Sequence, residues 1–236
     1  MRDRDDPDTA FLEATRTSYD AIAADYASAF PDAMGGLPFD RALISAFAEP
    51  ARAHSPAPVA GLGSGPGHVT ALVHGLGVPV FGVDLSPGMV ALARRAYPAL
   101  RFHVGTMTRL DLPDAFAEFH RVLRPGAPVL LTFQVADGQD RLHLTERFGH
   151  EIALDYHWRT PEKVARLLGE AGLEVYARAL RERTRTSGIP GRSCWSASRA
   201  RSAAGAPQAL DGLHRGQTVH VPRRPRHAVQ EALGAG

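Results

Sequence analysis

Nine residues, Val59-Ala60-Gly61-Leu62-Gly63-Ser64-Gly65-Pro66-Gly67, constrain this 236-residue chain more than any other stretch. A short apolar run enters a turn with glycine at every second position, and His68-Val69-Thr70 then opens a helical pattern. The next apolar run, Val80-Phe81-Gly82-Val83, ends on Asp84. A strand, a glycine turn and a helix let backbone approach a nucleoside closely, and an acid ending the second strand can accept ribose hydroxyls. The spacing separates ligand classes. A dinucleotide fingerprint needs a third small residue for close helix–strand packing. Counted from Gly63 that residue is His68, and counted from Gly61 it is Pro66; both fit poorly. What remains is G-x-G-x-G at Gly63, Gly65 and Gly67. With 23 glycines in the chain, an ordinary tight turn is the alternative for the loop alone. Asp84, set between a strand and Ser86-Pro87, argues against that alternative.

Periodicity around the loop predicts an α/β fold with a doubly wound, mostly parallel, Rossmann-like sheet. Tyr19, Ile22, Tyr26 and Phe30 form one helical stripe. Phe39, Leu43 and Phe47 form a second after the Gly35-Gly36 break, while residues 1–16 read as frayed and polar. The helix after the loop should bury Val69, Leu72, Val73 and Leu76. Ser86 with Pro87 is a strong helix start. Strands are expected at Arg101–Val104, Pro128–Val135 and Leu173–Ala179. Helices are expected at Asp114–Leu123, with Phe116, Phe119 and Leu123 on one side, and from Thr160-Pro161 to Gly172. The chain divides into a helical cap at 1–55, a sheet domain at 56–183 and a tail at 184–236.

Composition excludes several classes. One cysteine, Cys194, rules out an internal disulfide and a cysteine metal cluster, and no histidine pair has metal-ligand spacing, so no metal is expected. No apolar run reaches membrane-span length, and Met1-Arg2-Asp3-Arg4-Asp5-Asp6 is unlike a signal peptide, which implies a cytoplasmic protein without a membrane partner. The tail carries eight arginines against Asp211 and Glu231, a balance of +6, so the rest is mildly acidic. Rich in Arg, Ala, Gly, Pro and Ser and without periodicity, the tail is expected to be disordered, and a frameshift would account for its composition. A nucleic-acid arm is the alternative; the arginines are scattered and only Trp195 offers a stacking surface, so nucleic acid is not an expected partner.

Four motifs together resemble the class I S-adenosylmethionine-dependent methyltransferases. They are Tyr19-Asp20-x-Ile22-Ala23-x-x-Tyr26, the G-x-G-x-G loop, Asp84-Leu85-Ser86-Pro87-Gly88-Met89, and Phe119-His120-Arg121-Val122-Leu123-Arg124-Pro125-Gly126. The resemblance runs from Tyr19 to Arg183. It implies S-adenosyl-L-methionine as cofactor and methyl transfer to a small molecule. Gly63, Ser64, Gly65 and Gly67 would line the cofactor, and Asp84 would accept both ribose hydroxyls. Leu85 and Met89 would sandwich the adenine with Thr106 and Met107. Tyr26 would cover the methionine end, whereas core packing accounts equally well for Tyr19. The family commonly has acids where Gly61 and Thr106 stand, so Asp84 is left as the only carboxylate of the pocket. His103, His120 and His143 read as surface residues, and no catalytic residue is assigned.

The resemblance also exposes a gap. Such sheets have seven strands, the last antiparallel, with a fourth strand and a helix placed between the third strand and Pro128. Residues 105–127 hold one helix and two loops, whereas a strand-plus-crossover unit needs roughly 30 residues. This reads as an internal deletion. The expected consequence is that Pro128–Val135 pairs directly with Val59–Leu62 in a sheet of about five strands, because a vacancy would strand backbone polar groups. Impaired methyl transfer follows. A catalytically inactive methyltransferase-like protein and a nicotinamide-dependent oxidoreductase are the alternative functions, the latter opposed by His68.

Overall fold

Two helices, α1 (Pro7–Ala29) and α2 (Pro38–Arg52), lead into alternating strands and helices in the computed structural model. It describes residues 7–30, 34–106, 112–135, 141–182 and 192–201. Strand β1 (Val59–Leu62), helix α3 (His68–Gly75), strand β2 (Val80–Asp84), helix α4 (Pro87–Ala96) and strand β3 (Arg101–Val104) follow in order. Helix α5 (Leu112–Val122) and strand β4 (Pro128–Val135) come next, then β5 (Arg141–Arg147) and β6 (His150–His157). The described chain closes with α6 (Pro161–Glu170), β7 (Leu173–Arg181) and β8 (Arg192–Ala200). The α/β class and the parallel first sheet agree with the sequence.

The first sheet has the order β1-β2-β3, all parallel, with Gly61 opposite Gly82 and Asp84 opposite Val104. Two parallel strands cannot be joined by a tight turn, so each connection crosses by a helix. The helix starts are written in sequence. Ser86 Oγ accepts from Met89 N at 3.0 Å and Thr160 Oγ1 accepts from Lys163 N at 3.2 Å, each followed by proline at the first helical position. Val90, Ala93 and Phe102 close the core between α4 and β3.

Three expectations are corrected. Pro128–Val135 does not pair with Val59–Leu62; β4 belongs to a second sheet of order β4-β8-β7. The reason is a better partner: β8 pairs antiparallel with β4 from Pro128↔Arg199 to Val135↔Arg192, satisfying one edge over eight residues. No strand lies between Gly105 and Pro128 among the described residues, where α5 stands instead.

The second correction concerns the tail. Residues 192–200 form the middle strand of that sheet, with Cys194, Trp195, Ser196 and Ser198 buried. Covered on both faces, β8 uses small residues where a half-exposed strand would alternate apolar and polar. Residues 184–191 and 202–236 of the tail lie outside the described residues. Thirdly, α1 begins at Pro7, so residues 7–16 are helical rather than frayed.

Burial also departs from the stripes in detail. In α2 the inward residues are Asp40, Ile44, Phe47, Ala48 and Ala51, and Phe39 is exposed. In α3 Val73 is buried with Thr70, while Val69 is exposed. The main cluster joins both sheets through α2: Ile44, Phe47 and Ala48 meet Val73, Val78 and Val80 on one side and Trp195 on the other. Hairpin β5–β6 turns through Phe148 and Gly149, both at positive φ, and lays Ile152 and Leu154 on Ile22 of α1.

Candidate cofactor site

The glycine loop is built by backbone bonds that β2 supplies. Ser64 N donates to Val83 O at 3.0 Å, and Gly67 N closes the turn on Ser64 O at 3.0 Å. Gly63, Gly65 and Gly67 have φ of 66°, 51° and 94°, a region that costs side-chain-bearing residues strain. Two of these glycines do different jobs. A Cβ on Gly65 would enter open space, whereas one on Gly67 would meet the Phe102 ring at 2.8 Å and Tyr97 at 3.0 Å. Gly65 leaves open space beside the loop; Gly67 lets the loop settle on β3 and α4.

Asp84 holds the loop from the opposite side. Its Oδ2 accepts from Gly65 N at 2.8 Å, and its Oδ1 accepts from Ser86 N at 2.9 Å. A carboxylate offers about four acceptor positions, so each oxygen keeps one for a further donor. The acid that would accept ribose hydroxyls thus also fixes the turn into α4.

Helix α1 closes the site. Asp20 Oδ1 accepts from Gly88 N at 2.8 Å and from Ser86 Oγ at 2.5 Å, placing a carboxylate at the N-terminus of α4, where the helix dipole favours it. This anchor aims Tyr19 and Tyr26 at the loop. Burial raises the phenol pKa of both, most for Tyr19, where the neighbouring Tyr156 adds to the effect and the charge of Arg147 opposes it. Both tyrosines stay neutral at physiological pH.

These elements enclose a cavity of about 400 Å³, a size suited to a small ligand. Of the residues singled out in the sequence, Tyr26, Gly63, Ser64, Gly65, Asp84, Leu85, Met89 and Thr106 line it. Gly67 does not, being buried behind the loop. Met107 lies outside the described residues. Met34, Leu62, His68 and Val69 also line the cavity and were not anticipated. His68 and Val69 follow the last loop glycine directly and could have been found from that adjacency; Met34 has no local signal. Asp20, which caps α4, directly follows Tyr19, the first residue of the stripe in the first motif.

His68 Nδ1 lies 3.1 Å from the Tyr97 hydroxyl. His143 is bonded to Asp155 on the hairpin, His120 packs on Gly172, and His103 stacks edge-on with Phe81. None of these three lines the cavity. Among the described residues no group of three or more His, Cys, Asp or Glu could hold a metal ion, and no helix is long and apolar enough to cross a membrane.

Residues 59–117 match the family described as a methyltransferase domain. The demethylmenaquinone methyltransferase of Chlorobaculum parvum is 37% identical over 70 residues, covering 21% of this chain and 29% of that one. Its counterpart in Chlorobaculum tepidum is 36% identical over a stretch of the same length and coverage. The chain thus spans 29% of the length of these curated relatives. In structure, it resembles the 1,6-didemethyltoxoflavin-N1-methyltransferase of Burkholderia thailandensis, solved with 1,6-didemethyltoxoflavin and S-adenosylhomocysteine. The TM-score is 0.56 at 18% identity, over 86% of this chain and 94% of that chain. A methyltransferase from Methanosarcina mazei gives 0.53 at 15% identity, over 61% and 92% of the two chains. The CcbJ methyltransferase of Streptomyces caelestis gives 0.52 at 18%, over 80% and 98%. At these identities the likeness is one of fold.

Proposed function

We propose that this chain, a member of the class I S-adenosylmethionine-dependent methyltransferases by its fold and its matched domain, binds S-adenosylmethionine in the cavity and methylates a small molecule. The observation that carries this reading is the convergence on one cavity of Gly65, with open space above it, and Asp84, with acceptor capacity to spare. The Ser64 hydroxyl supports it, being a buried donor without a partner beside that space. Asp84 would hold the ribose, Leu85 and Met89 the adenine with Thr106, and Tyr26 the amino-acid end. When bound, the cofactor supplies a methyl group already activated on a positive sulfur, so the protein's part is alignment of the acceptor.

A second reading is a protein that binds the cofactor without turning it over. The free edge of β1 favours it: among the described residues β1 pairs only with β2, and Leu62, at its end, is exposed in the cavity wall. Thermal melting separates cofactor classes. S-adenosylhomocysteine at a hundred times its Kd should stabilise the protein by about 2.7 kcal/mol, seen as a higher melting temperature. NADH should leave it unmoved; stabilisation by NADH alone would transfer the site to the oxidoreductase reading. Incubation with methyl-labelled cofactor and a cell-extract metabolite fraction then distinguishes transfer from binding only.

A further inference from the structure

Arg147, in β5, is half-buried and incompletely satisfied. Its Nη1 donates to the Tyr156 hydroxyl at 3.3 Å, and its guanidinium carbon lies 5.9 Å from the ring centroid of Tyr26 and 5.1 Å from that of Phe148. A guanidinium has five N–H donors, and no described carboxylate pairs with this one. Three acids of the same elements are engaged elsewhere. Asp25 of α1 bonds His150 at 2.8 Å, Glu146 accepts from Gly149 N at 2.7 Å, and Asp155 takes Arg141 and His143.

Arg147 and Tyr156 do not themselves line the cavity, but they adjoin tyrosines that do. Tyr156 packs with Tyr19 in the cluster that docks the hairpin on α1, and Tyr19 and Tyr26 line the cavity wall. Asp84 is the only acid among the described lining residues, and its oxygens already serve the loop. The wall of neutral phenols backed by one cation therefore matches an anionic oxygen on a flat, apolar body: the guanidinium fork fits an oxyanion, and the rings cover the rest.

We propose that Arg147, with Tyr26 and Tyr156, forms an oxyanion-binding corner at the tyrosine wall of the cavity. This rests on the reading of the cavity as a nucleoside-cofactor site. The oxygen belongs either to the amino-acid carboxylate of the cofactor or to an acidic methyl acceptor such as a phenol, enol or carboxylic acid.

Calorimetric titration of the full chain and of Arg147→Met, which keeps much of the apolar stem, tests the corner and separates the sources. The probes are S-adenosylhomocysteine, 5′-methylthioadenosine (which lacks the amino-acid portion) and salicylate, the last with and without nucleoside. The expected result is a tenfold or greater loss in Arg147→Met for S-adenosylhomocysteine or for salicylate, with 5′-methylthioadenosine binding unchanged. Loss for S-adenosylhomocysteine assigns the corner to the cofactor; loss for salicylate alone assigns it to the acceptor. Unchanged binding of both, or equal weakening of 5′-methylthioadenosine, overturns the proposal. Failure of the unaltered chain to bind either nucleoside sinks the cofactor reading instead, and salicylate without nucleoside still decides Arg147. Should Arg147→Met melt early, Arg147→Gln is read by the same criteria.

Discussion

The indole Nε1 of Trp195 donates to Oδ1 of Asp40 at 2.8 Å, joining residues 155 positions apart in sequence. Asp40 is 3% exposed, and Arg181 Nε stands 3.4 Å from its other oxygen. The contact ties the middle strand of the second sheet to α2, whose apolar face supports β2. Trp195→Phe keeps an aromatic side chain but removes the donor and part of the buried ring volume, leaving a buried carboxylate oxygen unpaired. A loss of about 1–3 kcal/mol is expected, a drop of several degrees in melting temperature. A variant melting within a degree of the parent would show that the bond contributes nothing net.

Truncation should divide sharply by position. A chain ending at residue 201 keeps β8 and should melt close to the full-length protein. A chain ending at 183 loses the strand that pairs with both β4 and β7, and with it Trp195 from the main cluster. It should lose its cooperative transition in circular dichroism. A cooperative transition at the parental temperature in the 183-residue chain would contradict the placement of β8.

Two loop glycines should fail in different ways. Gly67→Ala brings a Cβ to 2.8 Å from Phe102 at φ 94°, so it should destabilise by about 1–3 kcal/mol. Gly65→Ala meets no neighbour and should cost about 1 kcal/mol in backbone strain while projecting into the cavity. Melting should therefore fall more for Gly67→Ala, and S-adenosylhomocysteine affinity more for Gly65→Ala. The reverse order in either measurement would mean the division of roles is wrong.

Asp20 should act on the site through geometry. Asp20→Ala removes the acceptor for Gly88 N and Ser86 Oγ; the group is exposed, so the stability cost should be about 1 kcal/mol. Because the same bonds register Tyr26 against the Asp84 turn, affinity for S-adenosylhomocysteine should fall several-fold, with partial retention in Asp20→Asn. Lowered melting with unchanged affinity would reduce Asp20 to a helix cap.

The glycine loop, Asp84 and the capped starts of α4 and α6 were legible because local chemistry fixes them: left-handed turns, a strand-end acid, Ser-Pro and Thr-Pro pairs. The hairpin was readable in retrospect from Leu142-x-Leu144 and Ile152-x-Leu154-x-Tyr156, but its Phe148-Gly149 turn lacks the usual Asn or Asp. Strand β8 was not legible. A strand covered on both faces, built mostly of Ser, Cys and Ala around Trp195, carries no period-two signal, and its reason for being a strand lies in β4 and β7. The pairing of β4 likewise depends on which edge competes best, a property of the whole sheet. Asp84 ends β2 as its position after the apolar run implies, yet its bonds to Gly65 and Ser86 depend on a loop curvature that residue types do not specify.

Those bonds make Asp84 the most direct test of the account. Calorimetric titration of S-adenosylhomocysteine into the unaltered chain and into Asp84→Ala should show binding in the first. In the second, affinity should be about ten- to a hundred-fold lower, the loss of a charged acceptor serving ribose and loop together. No binding by the unaltered chain, or equal affinity in a folded Asp84→Ala, would contradict the assignment of this cavity to the cofactor.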